Sequence, residues 1–263
     1  MIGFKIDNCP EKMNRRYFNE IFYIGRDTAM EVGLECYEKE RSCDLDSELI
    51  KDIFEEFSNR DTPNIVHMSL KTKLLNKTEF TEEDWLKEWR DQFSKINNEN
   101  IDYVILHATS KESPELSEED QIEIICNNFL KLEKISNFPI FIENTYEDLP
   151  FYKALFKKAP KSMNFVLDIG HKKIHSTSSN KEWIDFLIDL KKEGRRLHFH
   201  IHDNSGISDQ HKPLHFYKGE RALIFFKQLN KEFNSSNFII EIHGSDIHET
   251  LREYVYLNEA LSK

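Results

Sequence analysis

Short apolar runs alternate with longer amphipathic stretches eight times along this chain of 263 residues, and that repeat narrows its fold more than any other feature. The runs are IGFKI (2–6), GLECYE (33–38), NIVHMSL (64–70), DYVILHA (102–108), PIFIENT (139–145), NFVLDIG (164–170), LHFHIHD (197–203) and NFIIEIH (237–243). Most are rich in β-branched and aromatic residues, which marks strands. Helices are expected over 12–31, 44–59, 81–97, 117–136, 148–158, 180–193, 220–233 and 246–261. Thr81-Glu82-Glu83-Asp84 and Ser117-Glu118-Glu119-Asp120 read as capping boxes, and Asn180 and Asp246 as N-caps.

Strand then helix, eight times over, is the count of a (β/α)8 TIM barrel in the α/β class, and residues 1–263 are read as one such domain. A doubly wound sheet is disfavoured, because the eight glycines form no GxGxxG or GxxxxGK[ST]. With 39% hydrophobic and 12% aromatic residues the chain can fill a sizeable core. Its net charge of −11 argues against a broad nucleic-acid surface, whose phosphates demand a basic footprint. Cys9, Cys36, Cys43 and Cys126 form no CxxC pair and read as reduced thiols. The N-terminal apolar run is too short for a signal peptide, and no run approaches membrane-spanning length. The expectation is a soluble cytoplasmic protein with no membrane partner.

A barrel carries its chemistry at the C-terminal ends of its strands and in the loops that follow. The third strand ends in His67, the fourth in His107 and the fifth in Glu143. Asp168 ends the sixth, with His171 three residues on. His200 lies near the end of the seventh, Asp209 and His211 in its following loop, and Glu241 ends the eighth. His198, His200 and His202 alternate with Phe199 and Ile201, so the three imidazoles share one face. Taken singly, each polar residue reads as a hydrogen-bonded rim group. Nine of them gathered at one mouth would repel or remain desolvated, and metal cations are the usual compensation. Imidazole and carboxylate without thiolate suit Zn, Mn, Co or Fe.

The pattern resembles the xylose isomerase-like barrel superfamily, and within it the endonuclease IV-like branch (AP endonuclease family 2). In that branch three zinc ions are held by nine ligands, and the resemblance implies that His67, His107, Glu143, Asp168, His171, His200, Asp209, His211 and Glu241 fill those nine positions. Glu143 would be the bridging glutamate. Sugar isomerases and epimerases of the superfamily use a core of four positions, here Glu143, Asp168, His200 and Glu241. The chain departs from the DNA-cleaving pattern at three places. The HxND segment has His202 where asparagine is usual, and its aspartate is Asp203. The segment after DxH is KPLHFYKGE, with Gly219 alone, and MSLKTKLLN after His67 lacks an aromatic to insert beside an abasic site.

Two chemistries fit this constellation. In a sugar or sugar-phosphate isomerase or epimerase, one divalent ion (Mn, Co or Mg) would polarise the substrate's oxygens while Glu143 and Glu241 shuttle a proton. In a zinc phosphoesterase, such as an abasic-site endonuclease, two or three zinc ions would serve a displacement at phosphorus. A barrel that binds a sugar phosphate without turnover is a third class. The sequence favours the isomerase, acting on a small sugar phosphate, with nucleic acid the weaker partner and a homodimer left open. Lys71, Lys73, Lys77, Lys172, Lys173, Lys212 and Lys218 fall in loops at the same face. They read either as solvated charges or as a local positive field for an anionic substrate. Of these, Lys71, Lys73, Lys172 and Lys212, with His202, are the expected substrate contacts. Arg195-Arg196 read as a solvated turn at the opposite face, and Tyr17, Phe18, Phe22 and Tyr23 as core packing of the first helix. His175 and His248 read as surface residues, and His215 and His243 as neighbours of the mouth.

Overall fold

A computed structural model describes residues 1–7, 23, 27–33, 48–68, 74–75, 81–96, 99–109, 116–216, 220–242 and 247–262. Eight parallel strands close into a barrel in sequence order, with the first strand paired to the eighth. They are β1 (Ile2–Asp7), β2 (Met30–Gly33), β3 (Asn64–His67) and β4 (Tyr103–His107). β5 (Ile140–Glu143), β6 (Asn164–Asp168), β7 (Leu197–Ile201) and β8 (Asn237–Ile240) complete it. The described helices are α1 (Glu48–Ser58), α2 (Glu82–Ile96), α3 (Glu118–Glu133) and α4 (Leu149–Lys158). After them come α5 (Ile169–His175), α6 (Asn180–Lys192), α7 (Glu220–Glu232) and α8 (Ile247–Ser262). Among the described residues no helix is long and apolar enough to cross a membrane.

The period-two alternation of each strand separates two packed layers. One face packs against the helices in a large apolar cluster that includes Phe4, Val66, Val104, Ile142, Phe165, Phe199 and Phe238. The other face fills the barrel with a small cluster of Ala29, Ile65, Tyr103, Ile105, Phe141, Val166 and Ile239. Continuing the inner face two residues toward the C-terminal end gives Glu31, His67, His107, Glu143, Asp168 and Glu241 in place of apolar side chains. The polar layer of the sequence is therefore the upper storey of the barrel interior.

Four expectations need correction. The described second strand is Met30–Gly33, so it begins three residues before the expected 33–38, of which 34–38 lie outside the described residues. It takes the end of the segment expected to be a helix over 12–31. Ala29-Met30-Glu31-Val32 alternates correctly for a strand, but the inward carboxylate disguises it. The N-cap of α6 is Ser179 rather than Asn180, in a capping box with Glu182. The pair Arg195-Arg196 is no solvated turn. Arg195 is buried, and its guanidinium donates to the carbonyls of Pro160 and Met163 at 2.6 and 2.8 Å and of Phe156 and Ala159, both at 3.2 Å. Arg196 is exposed, but its guanidinium lies 5.0 Å from the Tyr103 ring centre. Tyr23 is exposed rather than packed in the core, while Tyr17, Phe18 and Phe22 lie outside the described residues. Helix α5 has no counterpart among the expected helices. Ser117 and Thr81 do cap their helices, accepting from the backbone N–H of Asp120 and Asp84, both at 3.2 Å. Asp246 and three of the cysteines, Cys9, Cys36 and Cys43, lie outside the described residues, and Cys126 is a free, half-buried thiol.

Candidate metal centre

The nine residues singled out at the strand ends do converge. The register sets His107 beside Glu143 and Asp168 beside His200 on neighbouring strands. Glu143 sits at the junction: its Oε2 lies 2.9 Å from His67 Nε2 and 3.1 Å from His107 Nε2, while its Oε1 lies 3.2 Å from His200 Nδ1. Glu241 Oε2 lies 2.9 Å from the same His200 Nδ1. Toward the rim, Asp209 Oδ2 lies 2.9 Å from both His171 Nε2 and His211 Nε2. Ligand atoms of Glu143, Asp168, His200 and Glu241 lie within 4.8 Å of one another, as do those of His67, Glu143 and His200. A separate group within the same limit joins His171, His202, Asp209 and His211.

The local sequence explains the placement. Asp168 ends β6 and caps α5 in the same step, its Oδ1 accepting from the His171 backbone N–H at 2.6 Å. That cap turns the chain so that His171 faces back to the mouth. Asn144 holds the other side, donating to the Asp168 carbonyl at 3.1 Å and accepting from the Asp168 N–H at 2.6 Å. The loop after β7 is pinned where Asp203 and Lys212 exchange backbone hydrogen bonds of 2.6 and 2.8 Å.

The donor set fits divalent cations on a further ground. In His67 and His171 the outward Nδ1 faces a backbone carbonyl, that of Met68 at 3.1 Å and of Asn144 at 2.9 Å. A carbonyl only accepts, so each Nδ1 carries a proton and each Nε2, turned to a carboxylate of the cluster, is the nitrogen a divalent ion would take in place of its own proton. His200 is held the other way round, its Nε2 on Glu31 Oε2 at 3.0 Å and its Nδ1 facing Glu143 and Glu241. Imidazoles oriented by an outer acceptor are the usual arrangement around a bound metal.

Electrostatics follow the geometry. Burial alone would raise the Glu143 carboxyl, but His200 and His107 hold it well below the usual range. Burial opposes Glu241 likewise, and Lys5 and His200 hold it low. Burial works against a charged His200, but Glu31, Glu143 and Glu241 raise it well above the ordinary imidazole value. His107 goes the other way: burial pushes it down to about 4 against the pull of Glu143.

Glu31 and Lys5 are the residues that sequence reasoning misses. They are register partners on β2 and β1, with Lys5 Nζ 3.3 Å from Glu31 Oε1 and 2.5 Å from Glu241 Oε1. The signal is present as inward-facing charges in two short strands, but the expected second strand begins too late to include Glu31. Below His200 the polar contacts continue down the barrel axis. Glu31 Oε2 lies 3.2 Å from His198 Nε2, and His198 Nδ1 lies 2.8 Å from the Tyr103 hydroxyl. Asn237 donates to that hydroxyl at 3.0 Å.

The expected substrate contacts fare less uniformly. Lys71 and Lys73 lie outside the described residues, as do Lys77, Lys218 and His243. The Lys172 ammonium lies over the Phe225 ring at 4.9 Å and that of Lys212 over the Phe216 ring at 5.7 Å. Lys173 pairs with Asp203 at 2.7 Å. His202 is fully buried beneath the rim, 2.8 Å from Asp168 Oδ2, rather than open to a substrate. His215 lies 2.5 Å from Glu253 of α8, His175 ends α5 half-buried, and His248 is exposed.

Comparison with known proteins places the fold. No family model matches the chain, and no curated protein sequence does. Among solved structures it is similar to the IolI protein with a bound zinc atom, at 14% identity and TM-score 0.72 over 99% of this chain and 98% of that one. It is similar to a D-tagatose 3-epimerase-like protein, at 19% identity and TM-score 0.69 over 99% and 97%. It is also similar to endonuclease IV from Thermus thermophilus, at 16% identity and TM-score 0.65 over 99% and 98%. These likenesses show a shared fold, the closed (β/α)8 barrel.

Proposed function

We propose that this protein is a divalent-metal-dependent phosphoesterase. The position of Glu143 carries the reading. One of its oxygens faces His67 and His107 and the other faces His200, so the carboxylate stands between two donor sets and has both oxygens engaged. A carboxylate shared in this way suits a pair of ions, whereas an isomerase that moves a proton with Glu143 needs one oxygen free for the substrate carbon. Glu241, the partner base in that chemistry, is tied to the Lys5 ammonium at 2.5 Å. The endonuclease IV likeness and the zinc named for the IolI structure fit the same reading.

Divalent ions bound in such sites polarise a phosphoryl oxygen and activate water for displacement at phosphorus. The chain's own contribution is orientation. His67 and His171 are fixed by backbone carbonyls that aim the opposite nitrogen at the mouth, Glu31 fixes His200, and His107 meets Glu143 through Nε2. Lys5 holds Glu241 ionised at the inner wall of the site. The phosphoester enters from the rim, where Asp209 is exposed and Glu143 is buried. The products are an alcohol and a phosphomonoester or free phosphate. The acidic net charge favours a small phosphoester over a long duplex.

A second reading rests on the completeness of the inner group. Glu143, Asp168, His200 and Glu241 alone could hold one ion, the arrangement expected of a sugar or sugar-phosphate epimerase. The deciding experiment counts metals by mass spectrometry on protein purified without added metal or chelator. The same preparation is then assayed on abasic-site oligonucleotides, small phosphodiesters and a panel of ketoses and their phosphates. Two or three zinc ions with phosphoester cleavage support the proposal. One exchangeable ion with ketose epimerisation overturns it in favour of the second reading.

A further inference from the structure

His202 stands where the resemblance leads one to expect asparagine, and the metal-dependent reading above does not use it. We propose that His202 completes, with His171, Asp209 and His211, a closed metal site of four protein ligands, leaving no coordination position there for substrate. The inference rests on the metal-dependent reading and deepens it, because it separates an ion that holds the structure from ions that serve the chemistry.

The geometry of the group is the first ground. One candidate ligand atom from each of the four residues lies within 4.8 Å of the others. A tetrahedral ion bound at 2.0–2.1 Å sets its ligand atoms about 3.4 Å apart, so the group must draw together and the near-parallel His202 and His211 rings must tilt toward the shared ion. The His202 ring stacks on that of His211, centres 3.9 Å apart and 11° from parallel, and meets His171 edge-on at 5.7 Å.

The chemistry of the imidazole is the second. His202 Nε2 lies 2.8 Å from Asp168 Oδ2, which only accepts, so Nε2 carries the proton. In the neutral ring that a metal ion requires, Nδ1 presents a lone pair; it is fully buried and has no hydrogen-bond partner among the described residues. A buried polar atom without a partner is costly. Asparagine could serve Asp168 equally well through its amide N–H. What histidine adds is the second nitrogen.

The backbone is the third ground. His211 adopts φ 44°, in the left-handed region that non-glycine residues seldom occupy. Such backbone persists where the surroundings enforce it, often at binding sites. Here it turns the imidazole of a rim loop back onto His202. Three imidazoles and a carboxylate make a closed set, whereas sites that act on substrate keep a position open. An ion so enclosed ties the loop after β7 to α5 and to the end of β7. Catalysis then falls to the groups that share Glu143.

The test compares wild type with His202→Asn and Asp209→Asn, each loaded with cobalt and, separately, with zinc. The asparagine retains an N–H for Asp168, and Asp209 is an exposed rim residue whose loss leaves the buried rings in place. Circular dichroism confirms that each variant is folded. In wild type one ion should resist a chelating dye far longer than the rest, and the cobalt form should show the intense visible bands of four-coordination. Both variants should release that ion at least about a hundredfold more readily, beyond the effect of losing an outer partner alone. The cobalt bands should weaken as water takes the vacated position. Unchanged metal count, release rate and spectrum in folded His202→Asn overturn the inference and leave the phosphoesterase reading intact. Wild type that binds ions at the Glu143 groups but none at this site does the same. Wild type that takes up no metal overturns both.

Discussion

A β-carbon built on Gly170 would lie 2.0 Å from Cε1 of His202 and 2.3 Å from its Nδ1. The glycine that follows the Asp168-Ile169 step is therefore the seat of the buried imidazole. Gly170→Ala must displace the ring or the start of α5, and overpacking of this kind costs about 1–3 kcal/mol. Urea unfolding of the metal-free protein should show a lower midpoint with unchanged slope, and an unshifted midpoint would mean the ring has room to move.

Glu31 acts on the centre through His200. Glu31→Gln should retain a neutral contact yet weaken the hold on Nε2, loosening metal binding by about 10–100-fold, as outer-partner loss does elsewhere. Competition with a chromophoric chelator reads this directly, and equal affinity would remove Glu31 from the metal centre.

Glu143 stands between two donor sets. Glu143→Gln keeps its volume and removes the shared charge, so phosphoester cleavage should fall by at least about a hundredfold while circular dichroism stays unchanged. Wild-type turnover in the folded variant would refute the site.

Arg195 gives a control remote from the mouth. Its guanidinium answers four carbonyls at the end of α4 and the turn into β6. Arg195→Ala leaves these buried acceptors without their donor, at a cost of about 3 kcal/mol. The thermal midpoint should fall, while metal content at saturating zinc should match wild type.

The metal-free protein should lose stability as pH rises above 6.5. His171, His200 and His202 are raised in the folded state: burial works against their charge, but neighbouring carboxylates outweigh it. Their contribution is complete below the unfolded imidazole value near 6.5 and is lost as pH climbs through the raised folded values. His107 and His198, pushed down to about 4 by burial, are neutral in the folded state and half-charged in the unfolded chain at about 6.5, so their opposing slope dies away by about pH 7.5. Thermal melts between pH 6.5 and 9 in chelator test the sign, and a rising midpoint would contradict it.

The barrel was legible because its strands bury both faces and its helices begin with acidic caps, signals that survive in a single sequence. The rim was legible for a related reason. A His or Glu inside VILHA, FIEN or IIEIH has no apolar role, so its position in the strand points it inward. What escaped was whatever depended on contacts distant in sequence. Glu31 gains its meaning from Lys5 and from His200, 169 residues away. Arg195 looks solvated until the carbonyls of a preceding helix end are brought around it. The lysines expected to draw in substrate could not be aimed: Lys172 and Lys173 lie on α5 rather than in a loop, and Lys172 and Lys212 are turned onto aromatic rings.

The contacts that descend from His200 through Glu31 and His198 to Tyr103 and Asn237 bear on how such a chain can diverge. Tyr103→Phe would strand His198 Nδ1 and the Asn237 amide at once, since both depend on one hydroxyl. Substitutions along this axis are therefore tolerated in concert and opposed one at a time. Variation should accumulate on the helices while the inner residues change as linked sets.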